Sequence, residues 1–155
     1  MPASGKSYVG QSLSRILDFR FVDTDDILRE QYNKSLPNLI RDCGLKKFVG
    51  KEGRILEGLN CEGTIISTGG SVVYSESGMV NLKKLSKIYF LDAPLDVIED
   101  RIDNVTGRGV VILPGQTIRD LYDERLPVYQ KYADETIDTR GKSVKQINNE
   151  IIATL

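Results

Sequence analysis

The sequence predicts an α/β fold in which helices cover both faces of a parallel β-sheet. Short runs rich in Val, Ile, Tyr and Phe alternate with stretches in which apolar residues recur every three or four positions. The first pattern is typical of buried strands and the second of amphipathic helices, and their alternation favours parallel pairing. A second observation is the Gly-Lys-Ser sequence at residues 5–7, directly before the first helical stretch. Such loops bind phosphate in folds of this class.

The predicted elements follow these patterns along the chain. Strands are predicted at residues 19–23, 63–68, 87–92 and 136–139. Helices are predicted at residues 9–17, 27–32, 35 onward, 45–59, 79–85, 95–102, 118 onward and 143–152. Ile16 is expected on the apolar face of the first helix. Gly50 and Gly53 each cost roughly 1 kcal/mol in a helix interior, so we expect another element to approach them closely.

Composition indicates one domain spanning residues 1–155. A net charge of −1 offers no basic surface for nucleic acid or an anionic membrane. No apolar run approaches the roughly 20 residues that cross a bilayer, and no signal-peptide pattern is present. We therefore expect a cytoplasmic monomer whose partners are small molecules.

The absence of histidine and the scarcity of cysteine exclude several kinds of catalytic and metal-binding site. The sequence contains no histidine, which excludes histidine triads, histidine metal sites and imidazole general bases. Cys43 and Cys61 lack a Cys-x-x-Cys spacing, so neither a disulfide framework nor a thiolate zinc site is indicated. We expect both cysteines to be small buried hydrophobic residues.

Residues 1–7 match the end of a P-loop, whose full pattern is Gly, four residues, then Gly-Lys-Ser/Thr. The first glycine of that pattern would precede Met1. Backbone N–H groups around Ser4 and Gly5 are expected to face phosphate oxygens. Lys6 is expected to reach the β- and γ-phosphates, and the Ser7 hydroxyl to ligate Mg²⁺. An ordinary turn before a helix explains Gly-Lys-Ser alone equally well.

Asp23 and Asp25 lie where the first predicted strand ends. Side chains two residues apart in an extended chain point to the same side, so both carboxylates are expected to face one crevice. One could hold Mg²⁺ through water while the other accepts the proton of a substrate hydroxyl. The alternative is a solvated acidic turn that caps the next helix.

Three further stretches are candidates for ligand contacts. Gly69 and Gly70 follow a predicted strand, where backbone amides could hold an anion or a hydroxyl, although a tight turn is the alternative. Arg108 lies in a loop of about ten residues that could act as a lid, although it could equally be solvated. Arg125 lies beside the buried face of its helix and needs a partner, which a structural salt bridge could supply.

Taken together, these residues resemble the shikimate kinase family of small P-loop kinases. Order and spacing agree over essentially the whole chain. The matching residues are Gly5-Lys6-Ser7, Phe21-Val22-Asp23-Thr24-Asp25, Phe48 with Glu52, Ser67-Thr68-Gly69-Gly70, Leu91-Asp92-Ala93-Pro94, Arg108, Glu124-Arg125 with Pro127 and Tyr129, Ala133-Asp134 and Ile137-Asp138-Thr139. The resemblance implies ATP-dependent phosphorylation of a small-molecule hydroxyl, with shikimate converted to shikimate 3-phosphate. It also implies a substrate-binding region at about 23–59 and a lid at about 103–117.

The resemblance implies roles for individual residues on the acceptor side. It makes Asp23 the Mg²⁺-side aspartate and Asp25 the residue that contacts the accepting hydroxyl. Gly69 and Gly70 match glycines of the acceptor site. Arg125 matches one of two arginines that clamp the acceptor carboxylate.

On the nucleotide side the resemblance implies a second set of contacts. Arg101 falls where the family packs an arginine on adenine, and Asp138 with Thr139 begins the adenine-side loop. Lys6 and Arg108 match the catalytic lysine and the lid arginine that act on the transferred phosphoryl group.

The chain also departs from the family pattern. Val49 stands where the family has its other carboxylate-binding arginine, Ser71 replaces a third glycine, and Gly109 replaces a proline. The first P-loop glycine and the strand before it have no counterpart, so residues 64–67 and 87–91 are expected to have strand edges without partners. We expect weakened shikimate recognition. A kinase for another hydroxylated metabolite or a nucleoside monophosphate stays open, as does a non-catalytic nucleotide-binding homologue.

Overall fold

Strands and helices alternate along the chain as predicted. The computed structural model describes residues 1–103 and 115–155. The strands are β1 (Arg20–Asp23), β2 (Thr64–Ser67), β3 (Tyr89–Asp92) and β4 (Glu135–Asp138). The helices are α1 (Lys6–Leu17), α2 (Thr24–Tyr32), α3 (Leu36–Cys43), α4 (Leu45–Gly58), α5 (Glu76–Leu85), α6 (Leu95–Asp103), α7 (Ile118–Tyr132) and α8 (Val144–Ile152). A short 3₁₀ helix at Val72–Tyr74, which the sequence patterns did not indicate, precedes α5.

The strands pair in parallel, which confirms the predicted fold class. β1 pairs with β2, with Phe21 opposite Ile65, and β3 pairs with β4, with Leu91 opposite Ile137. Within the described ranges no ladder joins β2 to β3, so the strands form two two-stranded sheets. A cavity of about 510 Å³ is lined by residues of both β2 and β3 and by Met1. Among the residues that the structure describes, β2 and β3 each have one edge without a strand partner, as expected.

Within residues 1–103 and 115–155, three apolar clusters form the core and pack the helices against the sheets or against one another. The largest includes Met1, Leu56, Val72, Val73, Met79, Leu82, Phe90, Ala93, Ile98 and Tyr129. The second joins α1 and α8 to β3 and β4 through Val9, Leu13, Leu91, Ile137, Ile147 and Ile151. The third joins α2, α3 and α4 through Leu28, Leu36, Leu39 and Phe48. The apolar face of α1 is narrower than predicted, because Ile16 is 54% exposed.

The two glycines within α4 have different surroundings. A Cβ atom added at Gly53 would lie 2.2 Å from Ser75 Oγ, so the predicted close approach is confirmed there. A Cβ atom at Gly50 would meet nothing within 4 Å, so the same prediction is wrong for Gly50. Gly53 therefore lets α4 pack against the residue that caps α5.

Two other expectations concern exposure. Cys43 and Cys61 are free and half-buried, so they are less buried than predicted, although Cys43 packs against the third apolar cluster. Across residues 1–103 and 115–155, no helix is both long and apolar enough to cross a membrane.

Candidate active site

Most of the predicted site residues come together around one cavity of about 680 Å³. It lies where the loop before α1 meets the carboxyl ends of β1 and β2, the usual ligand edge of a parallel sheet. The predicted residues that line it are Ser4, Gly5, Lys6, Ser7, Asp23, Asp25, Gly69, Gly70, Arg101, Arg125 and Thr139. Arg108, with most of the predicted lid, lies outside the described residues.

The loop before α1 turns tightly and is held by its own polar groups. Ala3 and Gly5 have positive φ angles of 52° and 91°, and the left-handed conformation at Gly5 costs glycine nothing. Ser4 is buried and its hydroxyl donates to the Met1 carbonyl at 3.0 Å. The Lys6 ammonium folds back over the loop and donates to the same carbonyl at 2.6 Å. A lysine and the positive end of α1 thus face the cavity together, as anion binding requires.

A cluster of three oxygen-bearing side chains lies beside this loop. The Ser7 hydroxyl donates to Asp23 Oδ2 at 2.7 Å and lies 3.3 Å from the Ser67 hydroxyl. Hard oxygen donors of this kind suit Mg²⁺, which typically binds one or two carboxylates and completes its shell with water and substrate phosphates. Among the described residues, no three acidic, cysteine or histidine side chains are grouped so that they could hold a metal ion. A Mg²⁺ ion at this position would therefore need water and substrate phosphates as further ligands.

Asp25 lies in a helix, not in the extended chain that we predicted. Asp23 caps α2, and its Oδ1 accepts the Asp25 backbone N–H at 3.0 Å, so the helix begins at Thr24. The prediction of period-two geometry is therefore wrong, although both carboxylates line the cavity. Burial, and next the negative charge of Asp23, raise the pKa of Asp25 above its ordinary value.

Glu52 is a buried carboxyl group that our sequence reasoning did not place in the site. It lies in α4, is only 2% exposed, and its Oε2 accepts the Ser71 hydroxyl at 2.6 Å. Burial raises the pKa of Glu52 to about 7, with a smaller contribution from the Asp25 charge, while the Ser71 hydrogen bond acts in the opposite direction. A signal was present in the sequence, because Glu52 is one helical turn after Phe48 on the apolar side of α4.

Gly69 and Gly70 bring the backbone against charged side chains. A Cβ atom at Gly69 would lie 2.4 Å from Glu52 Oε1 and 2.8 Å from Asp25 Oδ1. At Gly70 it would lie 3.1 Å from Arg125 Nη1. The Gly69 N–H donates to Thr24 Oγ1 at 3.3 Å, so this amide is not one of the exposed amides that we expected. Glycine has no side chain, and this lets the backbone of the turn lie so close to these charged groups.

Arg125 is a buried cation at the same end of the cavity. It lies in α7, is 2% exposed, and its Nε donates to the Tyr74 hydroxyl at 3.1 Å. Its guanidinium also stacks over the Tyr74 ring, 5.2 Å from the centroid. Nearby, Tyr129 donates its hydroxyl proton to the Gly70 carbonyl at 2.5 Å, and burial raises the pKa of Tyr129 to about 12. This end of the cavity therefore carries a fixed positive charge within an aromatic frame.

The opposite end of the cavity contains the predicted adenine-side residues. Arg101 Nη1 reaches across and donates to the Ala3 carbonyl at 3.0 Å. The Thr139 hydroxyl donates to the Asp92 carbonyl at 3.1 Å. Asp138 does not line the cavity, and its Oδ1 accepts the Arg140 N–H at 2.9 Å. Arg101 and Thr139 are brought to the site, and Asp138 supports the turn behind it.

A phosphate-binding loop opening a helix, with a serine–aspartate pair beside it and carboxyl groups across the cavity, defines a P-loop phosphotransferase. Comparison with known proteins gives the family. The family model for shikimate kinase matches residues 2–155, so the chain belongs to the shikimate kinase family.

Individual relatives agree over nearly the full chain. A shikimate kinase from Persephonella marina is 33% identical over 153 residues, covering 98% of this chain and 93% of the relative. The crystal structure of shikimate kinase from Aquifex aeolicus has a TM-score of 0.84 and 30% identity, covering 99% of this chain and 91% of that one. Shikimate kinase from Acinetobacter baumannii in complex with shikimate has a TM-score of 0.86 and 25% identity, covering 97% and 86%.

Family membership confirms the resemblance read from the sequence. The chain is a phosphotransferase that acts on a hydroxyl group, and its family uses ATP as a substrate. The alternative of a non-catalytic homologue is thereby set aside.

Proposed function

We propose that this protein transfers the γ-phosphoryl group of ATP to a hydroxyl of shikimate, giving shikimate 3-phosphate. The observation that carries the proposal is that Lys6 and Asp25 line one cavity. The Lys6 charge also acts on the Asp25 carboxyl group, favouring its ionised form. A phosphate-binding group and a candidate proton acceptor thus lie within electrostatic reach of each other. The likeness to the Acinetobacter baumannii enzyme in complex with shikimate supports the choice of acceptor.

In this proposal the nucleotide occupies the end of the cavity near the loop before α1. Amides at Ser4 and Gly5 and the Lys6 ammonium bind the phosphates, as the geometry of a P-loop implies. Arg101 of α6 and Thr139 contact the base, and Asp138 supports the turn after β4 that carries Thr139.

Ser7 and Asp23 would hold Mg²⁺, and their paired oxygens fit that ion. When bound, Mg²⁺ neutralises charge on the β- and γ-phosphates. Arg108, outside the described residues, stays a prediction as the arginine that stabilises the transferred group.

The acceptor occupies the other end, beside Asp25, Gly69, Gly70 and Arg125. Its hydroxyl oxygen attacks the γ-phosphorus, the bond from that phosphorus to the bridging oxygen breaks, and ADP leaves. Asp25, which lines the cavity, takes the proton of the hydroxyl. The buried Arg125 guanidinium binds the acceptor carboxylate.

A second candidate acceptor is a hydroxylated metabolite without the carboxylate of shikimate. Val49 favours it, because this position in α4 carries an apolar side chain where the resemblance leads us to expect an arginine. Val49 is half-buried and is not among the residues that line the cavity. Lys46, one turn earlier, is exposed and also does not line it.

The test is product formation followed by ³¹P NMR, with ATP, Mg²⁺ and a panel of hydroxylated acceptors that includes shikimate. We expect a new phosphomonoester signal from shikimate, and a fall of about 10²-fold or more in kcat for Asp25→Asn. Glu30→Gln, at an exposed position of the same helix that does not line the cavity, is the matched control. Phosphorylation of another acceptor with none of shikimate would refute the proposal.

A further inference from the structure

Arg29 is a cation of the cavity to which neither the sequence patterns nor the resemblance assigned a role. It lies in α2, four residues after Asp25, so the two side chains are neighbours on one face of the helix. Both residues line the 680 Å³ cavity. The Arg29 charge also acts on the Asp25 carboxyl group, in the direction that favours its ionised form. Arg29 is therefore close to the residue that is proposed to contact the acceptor.

The distribution of positive charge around the cavity singles out this arginine. Among the described cations that line it, Lys6 and Arg101 donate to the loop before α1, and Lys142 pairs with Glu150 of α8. Those three lie on the phosphate and adenine side. Arg29 lies one helical turn after Asp25 in α2, and Arg125 Nη1 would lie 3.1 Å from a Cβ atom at Gly70, so these two cavity cations are carried next to acceptor-side residues.

Arg29 can leave its present partner, Asp26, with little loss of protein stability. Its Nη1 donates to Asp26 Oδ1 at 2.5 Å, and the two side chains are 49% and 65% exposed. Exposed ion pairs three residues apart on a helix contribute little to stability. A guanidinium on a long side chain can instead bind an incoming carboxylate through two parallel hydrogen bonds.

We propose that Arg29 binds the carboxylate of the acceptor together with Arg125, and so supplies from α2 the positive charge that Val49 does not supply from α4. The proposal rests on the proposed function, because it concerns an acceptor that carries a carboxylate. Arg125 provides a fixed, buried contact, and Arg29 closes on the anion from the exposed rim. The clamp then has two arginines, Arg125 of α7 as the resemblance implies and Arg29 of α2 in place of an arginine on α4.

The test compares Arg29→Ala with wild type on two acceptors, shikimate and its uncharged methyl ester. We expect the KM for shikimate to rise by about 10- to 100-fold in Arg29→Ala, with kcat and the KM for ATP nearly unchanged. The ester should have a similar KM in both proteins, since it offers no charge to Arg29. Arg29→Lys should recover part of the loss. Arg41→Ala is the matched control, because Arg41 is an exposed arginine of α3 that does not line the cavity.

The outcomes separate this proposal from the one that it rests on. Equal losses for the acid and the ester would show that Arg29 acts through local structure and would overturn the proposal. An unchanged KM for shikimate in Arg29→Ala would overturn it while leaving the proposed function intact. A wild type that neither binds shikimate in calorimetry nor phosphorylates it would overturn both.

Discussion

The phosphate end and the acceptor end of the cavity are built in different ways. The phosphate end comes from one continuous segment, residues 1–7, with Asp23 beside it, and its charged group Lys6 is only half-buried. The acceptor end is assembled from α2, α4, the turn after β2 and α7, and it buries Glu52 and Arg125 to 2% exposure each. A half-buried charge can be removed without unfolding the protein, whereas a buried charge is also part of the core. Function and stability should therefore separate at the phosphate end and stay coupled at the acceptor end.

The largest expected effect is at the phosphate end. Lys6→Ala should lower kcat by about 10²- to 10³-fold, because the lysine stabilises charge that develops during phosphoryl transfer. The free energy of unfolding should stay within about 0.5 kcal/mol of wild type. Steady-state kinetics and chemical denaturation measure both, with Lys47→Ala as the exposed-lysine control. A variant that keeps more than a tenth of the wild-type kcat, a loss under about 1.4 kcal/mol, would contradict the role given to Lys6.

At the acceptor end, Gly69→Ala should reduce function and stability together. The new methyl group would be placed 2.4 Å from Glu52 Oε1, so α4 or the turn must shift. We expect a destabilisation of about 1–3 kcal/mol, as for other overpacked sites. The kcat/KM for the acceptor should fall at least about tenfold, with the KM for ATP little changed. If Gly69→Ala lost activity with unchanged stability, function and stability would not be coupled at the acceptor end.

The buried carboxyl group should give the protein a specific pH dependence. The folded pKa of Glu52, about 7, is above its ordinary value of 4.5, so the folded state keeps a proton that the unfolded state releases. Stability should therefore fall as pH rises from about 4.5 to about 7, by up to roughly 3 kcal/mol from this group. Glu52→Gln should flatten that part of the profile, and Glu57→Gln, exposed on the same helix, should not. Parallel profiles for wild type and Glu52→Gln would show that Glu52 is not the cause.

The smallest expected effect tests whether the tight packing extends beyond the site. Gly53→Ala should destabilise the protein, because its methyl group would meet Ser75 Oγ at 2.2 Å. Gly50→Ala should stabilise it by about 0.5–1 kcal/mol, because that position is open and alanine is the better helix former. Thermal unfolding of the two variants in parallel gives the comparison. Equal shifts in the same direction would contradict it.

Features that depend on a short stretch of sequence could be predicted, whereas features that depend on contacts between distant elements could not. The loop before α1 and the parallel strands are local patterns, and both were found. The start of α2 was placed three residues late, because the pattern of apolar residues begins at Ile27 while the cap is at Asp23. Glu52 in the site and the open position at Gly50 depend on which distant elements pack nearby. The spacing of residues along the sequence does not tell which distant elements pack against each other.

The contact between Arg125 and Tyr74 gives the protein an intrinsic optical label. The chain has no tryptophan and seven tyrosines, so tyrosine dominates its near-ultraviolet absorption and emission. Tyr74 lies against the guanidinium that is proposed to bind the acceptor, and the Tyr129 hydroxyl reaches the Gly70 carbonyl beside it. An anion that draws Arg125 toward the cavity changes the field at the Tyr74 ring. Difference spectroscopy without any added dye can therefore follow acceptor binding, and Tyr74→Phe changes its hydroxyl-dependent part while leaving the phosphate end untouched.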